Sequence, residues 1–179
     1  NNRKFLNMNE LLLPARQIYP LRRMYEINGG IDLLFASRGC PNNCSFCNSP
    51  MFWRRRWRGR SPEDIVRELK LIEEKGAKIV HIHDLNFGVN KKWLREICNL
   101  IKKEKIDILW DCQLTVNDLD KDSLKILYGG GCRGAFIGIE SASQSSLDGS
   151  NKSYAISSLK KGLLNAKDQG IHIDGGYVV

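Results

Sequence analysis

The chain has 179 residues, of which 42% are hydrophobic and 27% charged, with 28 Lys and Arg against 20 Asp and Glu for a net charge of +8. That length suits one domain that buries about two-thirds of its surface around a single core. No run of about 18 apolar residues occurs, and the N-terminus offers an apolar triplet where a signal peptide needs a longer core, so no membrane span and a soluble, cytoplasmic protein are expected. Six cysteines in a chain of this size, three of them clustered, exclude a small disulfide scaffold and point to a reducing compartment. The basic excess allows nucleic acid as a partner without favouring it. Much of it is local to "WRRRWRGR", residues 53–60, which reads as a solvated or domain-facing connection.

Residues 1–30 read as a linker: two of the five prolines, no sustained period, and a closing Gly pair. "IDLLFAS", residues 31–37, reads as a short apolar strand that runs straight into "RGCPNNCSFCNSP", with Cys40, Cys44 and Cys47 inside eight residues. A helix is then predicted from Pro62, capped by Ser61, with Ile65, Leu69 and Ile72 on one face and Gly76 beyond its end. "KIVHIHD", residues 78–84, is the second strand. Asn90 caps a helix carrying Leu94, Ile97, Cys98 and Ile101, and residues 108–114 form the third strand. A shorter helix over 120–128 stops at a run of three glycines. Residues 134–141, "GAFIGIES", make the fourth strand; a helix with Ile156, Leu159, Leu163 and Ala166 leads to Gly170 and a fifth strand in "IHIDGGYVV".

Strands alternating with helical crossovers predict a parallel α/β sheet with helices outside it, curling toward a partial (β/α) barrel. Residues 31–179 would be the core domain. A full barrel needs more strands, so the chain reads as truncated after its fifth strand, with Val178 and Val179 in that strand's apolar end.

Three thiolates and no fourth in the same loop do not suit a structural zinc site, which takes four protein ligands. A four-iron, four-sulfur (4Fe-4S) centre held by three cysteines keeps one iron open, and an open position serves chemistry. Cys98, Cys112 and Cys132 read as small buried hydrophobes. His81 and His83 share a strand face but lack a visible third ligand, so they and His172 read as barrel-lining or core residues.

The Cys-x-x-x-Cys-x-aromatic-Cys loop after a first strand resembles the signature of the radical S-adenosylmethionine (radical SAM) enzymes. "SRGCPNNCSFC", "RGRSPEDIVREL", "HDLNFGVNKKWLREIC", "ILWDCQL", "FIGIESASQSSLD" followed by Lys152, and "KDQGIHIDGGYVV" resemble, in order, blocks of the subgroup with an upstream cobalamin-binding domain. The similarity runs from about Met8 to the chain's end. The resemblance implies that Cys40, Cys44 and Cys47 bind the irons of a 4Fe-4S cluster whose fourth iron takes S-adenosylmethionine (SAM). It also implies a reductant protein of flavodoxin or ferredoxin type, an unknown substrate, and cobalamin in the full-length protein, whose linker would be residues 1–30. Phe46 stands where the family places a residue beside the adenine, and Lys152 where the subgroup has a lysine. Glu140 and Ser141, at the end of the fourth strand, and Asp84, at the end of the second, are candidate cosubstrate ligands. Relatives tend to have an arginine near Thr115; here "QLTVN" offers Gln113 or Thr115 instead. The expected function is a radical SAM core, cobalamin-associated in the full-length protein, acting as a methyltransferase or another carbon-centred radical catalyst. The alternatives are a tRNA-modifying methylthiotransferase and a non-enzymatic electron carrier or zinc module.

Overall fold

The computed structural model describes residues 5–178; residues 1–4 and Val179, the last position of the expected fifth strand, lie outside it. Its main sheet holds five parallel strands in chain order: β1 (Ile31–Leu34), β4 (Ile79–Ile82), β5 (Leu109–Leu114), β6 (Cys132–Glu140) and β7 (His172–Tyr177). Two two-residue strands, β2 (Ser37–Arg38) and β3 (Arg58–Gly59), pair antiparallel beside it. The helices are α1 (Leu21–Asn28), α2 (Ser49–Trp53), α3 (Pro62–Glu74), α4 (Lys91–Lys103), α5 (Lys121–Gly129), α6 (Gln144–Gly149) and α7 (Ile156–Gln169). The expected parallel direction holds, and with the strands in chain order and helices outside the sheet they give the expected partial barrel.

Local chemistry fixes the helix starts. The Ser61 hydroxyl accepts the Asp64 N–H, and the Asn90 side chain accepts the Trp93 N–H. Helices α3, α4, α5 and α7 stand side by side against one face of the sheet. There, Val80, Ile82, Trp110, Cys112, Leu114, Ala135 and Ile137 alternate inward from the strands and pack with Ile65, Leu69, Leu94, Ile97 and Leu124 from the helices. Cys98 and Cys132 are buried in the same layer, as small hydrophobes.

The N-terminal segment differs from expectation, and the basic stretch takes the domain-facing rather than the solvated of its two expected roles. Part of the segment expected as a linker is helical: α1 ends at Gly29 in the left-handed conformation, and its Leu21 and Tyr25, one turn apart, are buried. Arg16 ties this segment down through Asp32 and Glu68, each at 2.7 Å, and Arg60 reaches the other Glu68 oxygen at 2.5 Å. The basic stretch is therefore not simply solvated. Besides Arg60, Trp57 packs edge-on against Trp93, and Arg58 lies over the Phe5 ring and donates to the Leu6 carbonyl.

Candidate active site

In a parallel sheet the carboxyl ends of the strands all open on one side, and chemistry collects there. The cysteine loop leaves the carboxyl end of β1 through β2. At Gly39 the backbone turns with φ of 91°, and an added Cβ would lie 1.9 Å from the Arg56 carbonyl oxygen, so only glycine fits where the loop passes the β2–β3 hairpin. All six cysteines are free thiols, with Cys40 and Cys44 half-buried and Cys47 exposed. Among the described residues no three His, Cys, Asp or Glu side chains converge on a single point. The three loop thiols are nevertheless close enough to act on one another electrostatically. Burial pushes the Cys40 and Cys44 thiols up, the Cys47 thiol adds to both, and the neighbouring Lys152 ammonium opposes it.

Lys152 comes from the turn after α6 and pairs with Glu140 Oε1 at 2.8 Å; the two side chains are 15% and 14% exposed. Its ammonium also faces the Gly138 carbonyl at 3.4 Å and lies 5.7 Å from the centre of the Phe46 ring. Glu140 is the last residue of β6 and has φ of 63°, a left-handed conformation that is costly for a residue with a side chain. Gly138 makes room for the pair: a Cβ there would sit 2.1 Å from Glu140 Oε1 and 2.8 Å from Lys152 Nζ. Lys152 engages Glu140 Oε1, and no hydrogen bond from the described residues reaches Oε2, which leaves that oxygen able to accept.

A cavity of about 240 Å³ joins these parts, lined by Cys44 and Asn42 from the loop, Thr115 from the end of β5, Gly138, Lys152 and Tyr154. The predicted residues Cys44, Thr115 and Lys152 thus meet in one space, with Glu140 and Phe46 beside it. Ser141 is half-buried, and its hydroxyl accepts the Ser143 N–H. Gln113 lies on β5 opposite Phe136. The Thr115 hydroxyl donates to Asp118 at 2.6 Å and so closes the turn that follows β5. Asp84 is buried beneath the loop, accepting the Ala36 N–H at 2.8 Å and the Ser37 hydroxyl at 2.6 Å. Burial raises its carboxyl to about 6 against the lowering effect of those bonds. It braces the chain that carries the cysteines.

Sequence reasoning missed Gly138 and Tyr154, whose hydroxyl donates to the Ile139 carbonyl and holds the end of β6. No local pattern marks Tyr154. For Gly138 a signal existed, a glycine inside an otherwise apolar strand, two residues before an acid.

A donor set of three soft thiols, free of disulfides on an irregular loop, with a cation and an open carboxylate alongside, fits an iron-sulfur cluster with one iron left for a small ligand. Comparison with known proteins agrees. Residues 34–179 match the Radical SAM superfamily model, and the chain belongs to that superfamily of enzymes. It is 33% identical over 175 residues to an uncharacterized methyltransferase of Pyrococcus horikoshii, covering 97% of this chain and 38% of that protein. It is 31% identical over 156 residues to the bacteriochlorophyllide d C-8(2)-methyltransferase of Chlorobaculum tepidum, covering 81% and 34%. The chain thus spans little more than a third of these relatives.

Among solved structures, the cobalamin-dependent SAM radical enzyme OxsB, with aqua-cobalamin and SAM bound, superposes with a TM-score of 0.82 at 22% identity, over 98% of this chain and 27% of that one. The radical SAM methyltransferase TsrM of Kitasatospora setae gives 0.73 at 19% identity, over 86% and 31%. These two likenesses establish the fold. Family membership sets aside the electron-carrier and zinc-module alternatives. No helix among the described residues is long and apolar enough to cross a membrane.

Proposed function

We propose that this chain is the catalytic core of a cobalamin-associated radical SAM methyltransferase, in which Cys40, Cys44 and Cys47 hold a 4Fe-4S cluster and the Glu140 end of β6 receives SAM. The observation that carries this is the meeting, at the carboxyl ends of β1 and β6, of a three-thiol loop with a half-buried Glu140–Lys152 pair that leaves one carboxylate oxygen open. When bound, such a cluster supplies the electron that cleaves SAM to methionine and a 5'-deoxyadenosyl radical.

The chain's own residues do the rest. Lys152 holds Glu140 in place and puts positive charge beside Cys44, favouring the thiolate that binds iron. Glu140 Oε2 is available to accept from the cosubstrate's ammonium or ribose hydroxyls. Phe46 offers a half-exposed ring for the adenine face, and Ser141, Gln113 and Thr115 stand at neighbouring strand ends. Asp84 fixes the start of the loop, so it positions ligands rather than touching them.

Cobalamin and a methyl-transfer outcome are supported by the relatives' descriptions and by the cobalamin enzymes that share the fold. A cytoplasmic location and a flavodoxin- or ferredoxin-type reductant go with this reading. The methylthiotransferase reading is less favoured because Arg58 and Arg60, part of the basic stretch that suited RNA, are engaged within the fold.

Glu140→Gln tests the proposal. It keeps shape but removes an anionic acceptor worth about 1.5 to 3 kcal/mol. SAM affinity, measured by equilibrium binding to the cluster-loaded protein, should fall about tenfold or more while the melting midpoint moves by only a few degrees. Unchanged affinity with a large loss of stability would make Glu140 a purely structural partner of Lys152.

A further inference from the structure

Two residues after Cys40, and again two after Cys47, the backbone turns a donor back on sulfur. The Asn42 N–H hydrogen-bonds the Cys40 thiol, and the Ser49 N–H donates to Cys47 Sγ at 3.4 Å. Such bonds strengthen as the sulfur gains negative charge. Ser49 carries a second donor as well. Its hydroxyl oxygen is buried, and among the described residues it has no hydrogen-bond partner.

A buried hydroxyl left unpaired is costly, so it calls for a partner that the folded chain does not itself provide. Helix capping does not use it. Ser49 is the first residue of α2, Asn48 before it makes no side-chain cap bond, and Pro50 after it has no N–H to satisfy. Three covalent bonds separate the Ser49 nitrogen from its Oγ, so both donors address the same small space around Cys47. Sulfur is the acceptor that this place offers: the Cys47 thiolate itself and the sulfides of a cluster held through it.

We infer that Ser49 raises the reduction potential of the cluster, its backbone N–H donating to the Cys47 sulfur and its hydroxyl to sulfur on the same side. Reduction adds one electron, delivered by the protein reductant, and puts one more negative charge on the iron and sulfur. Donors that face sulfur stabilise that charge and so favour the reduced form. The chain then accepts its electron from a weaker reductant. This inference rests on the cluster reading above, and the two are separated by measuring cluster content and potential on the same samples.

The test poises the reconstituted chain, without SAM, at a series of solution potentials and reads the reduced cluster by electron paramagnetic resonance, with iron and sulfide counted per chain. Wild type is compared with Ser49→Ala, which removes the hydroxyl and keeps the backbone donor, and with Ser49→Thr and Ser49→Val, which share a shape and differ in the hydroxyl. All should carry the wild-type iron and sulfide. At the wild-type midpoint the ratio of reduced to oxidised cluster should fall about threefold or more in Ser49→Ala and Ser49→Val, which for one electron is a drop of about 28 mV or more. In Ser49→Thr it should stay near the wild-type ratio. A wild-type ratio in Ser49→Ala, or equal ratios in Ser49→Thr and Ser49→Val, would overturn the inference and leave the cluster reading standing. A wild type that takes up no cluster would overturn both.

Discussion

Two trios of cysteines occupy one small domain and end in opposite chemistry. Cys98, Cys112 and Cys132 lie between helices and sheet; burial pushes the Cys98 thiol up to about 12, and burial together with the Cys132 neighbour drives Cys112 higher than an ordinary thiol. They stay protonated and act as small apolar side chains. Cys40, Cys44 and Cys47 sit on an irregular loop, partly wet, with Lys152 drawing on Cys44 and Cys40. Residue type does not separate the trios. What does is whether the backbone carries the thiol into the core or out past the end of a strand. Substitutions in the loop should therefore change metal content and leave stability alone, and substitutions in the core should do the reverse.

The largest contrast is expected for Cys44→Ala, which should take iron and sulfide, after anaerobic reconstitution, from one cluster per chain to background while the melting curve of the iron-free protein stays put. Cys112→Ala should keep the full iron content and lose only about 1 kcal/mol through the small cavity. Iron retained in the first or lost in the second would erase the distinction.

On the core side, Glu68 is buried between Arg16 and Arg60. Glu68→Ala leaves both guanidinium groups without their carboxylate and frees the segment before β1, so chemical denaturation should show a loss of about 3 to 5 kcal/mol. Iron uptake by the folded fraction should be unchanged, and a parallel fall in iron per folded chain would show that the segment serves the cysteine loop as well.

Asp84 links the two regions and gives a smaller effect with a defined sign. Its carboxyl stands near 6 in the folded protein, above the ordinary value of 3.8, so between those pH values the folded state holds more protons than the unfolded one. Its contribution to stability is then greatest below about pH 4 and is lost as pH rises to about 6, on the order of 3 kcal/mol. The difference in unfolding free energy between wild type and Asp84→Asn, followed across pH 4 to 7, should show that slope; a flat difference would mean the carboxyl is not strained by burial.

The sheet was legible because its signals are local: apolar strands, helical faces of 3.6-residue period, Ser61 and Asn90 at their caps. Helix α1 escaped because eight residues show little period, although Leu21 and Tyr25 one turn apart and Gly29 beyond were its trace. The β2–β3 hairpin pairs two residues with two across a nineteen-residue excursion, a pairing no local pattern encodes. In the site, the cysteine loop could be read from spacing and Glu140 from its strand end. The Lys152 partner, the room made by Gly138 and the inward turn of Asp84 depend on contacts between distant segments. His81 shows both sides: its place on the lining face follows from alternation along β4, but Asp111, thirty residues on, becomes its partner only when β5 pairs in register.

The central claim is that three loop thiolates leave one iron open for SAM beside Glu140. The most direct measurement is electron paramagnetic resonance of the reduced, reconstituted protein with and without SAM, in a variant whose Cys98, Cys112 and Cys132 are all alanine. The account predicts the spectrum of one reduced 4Fe-4S cluster in that variant and a clear change in its g-values when SAM is added. A cluster that is lost with the buried trio, or whose spectrum is indifferent to saturating SAM, would contradict it.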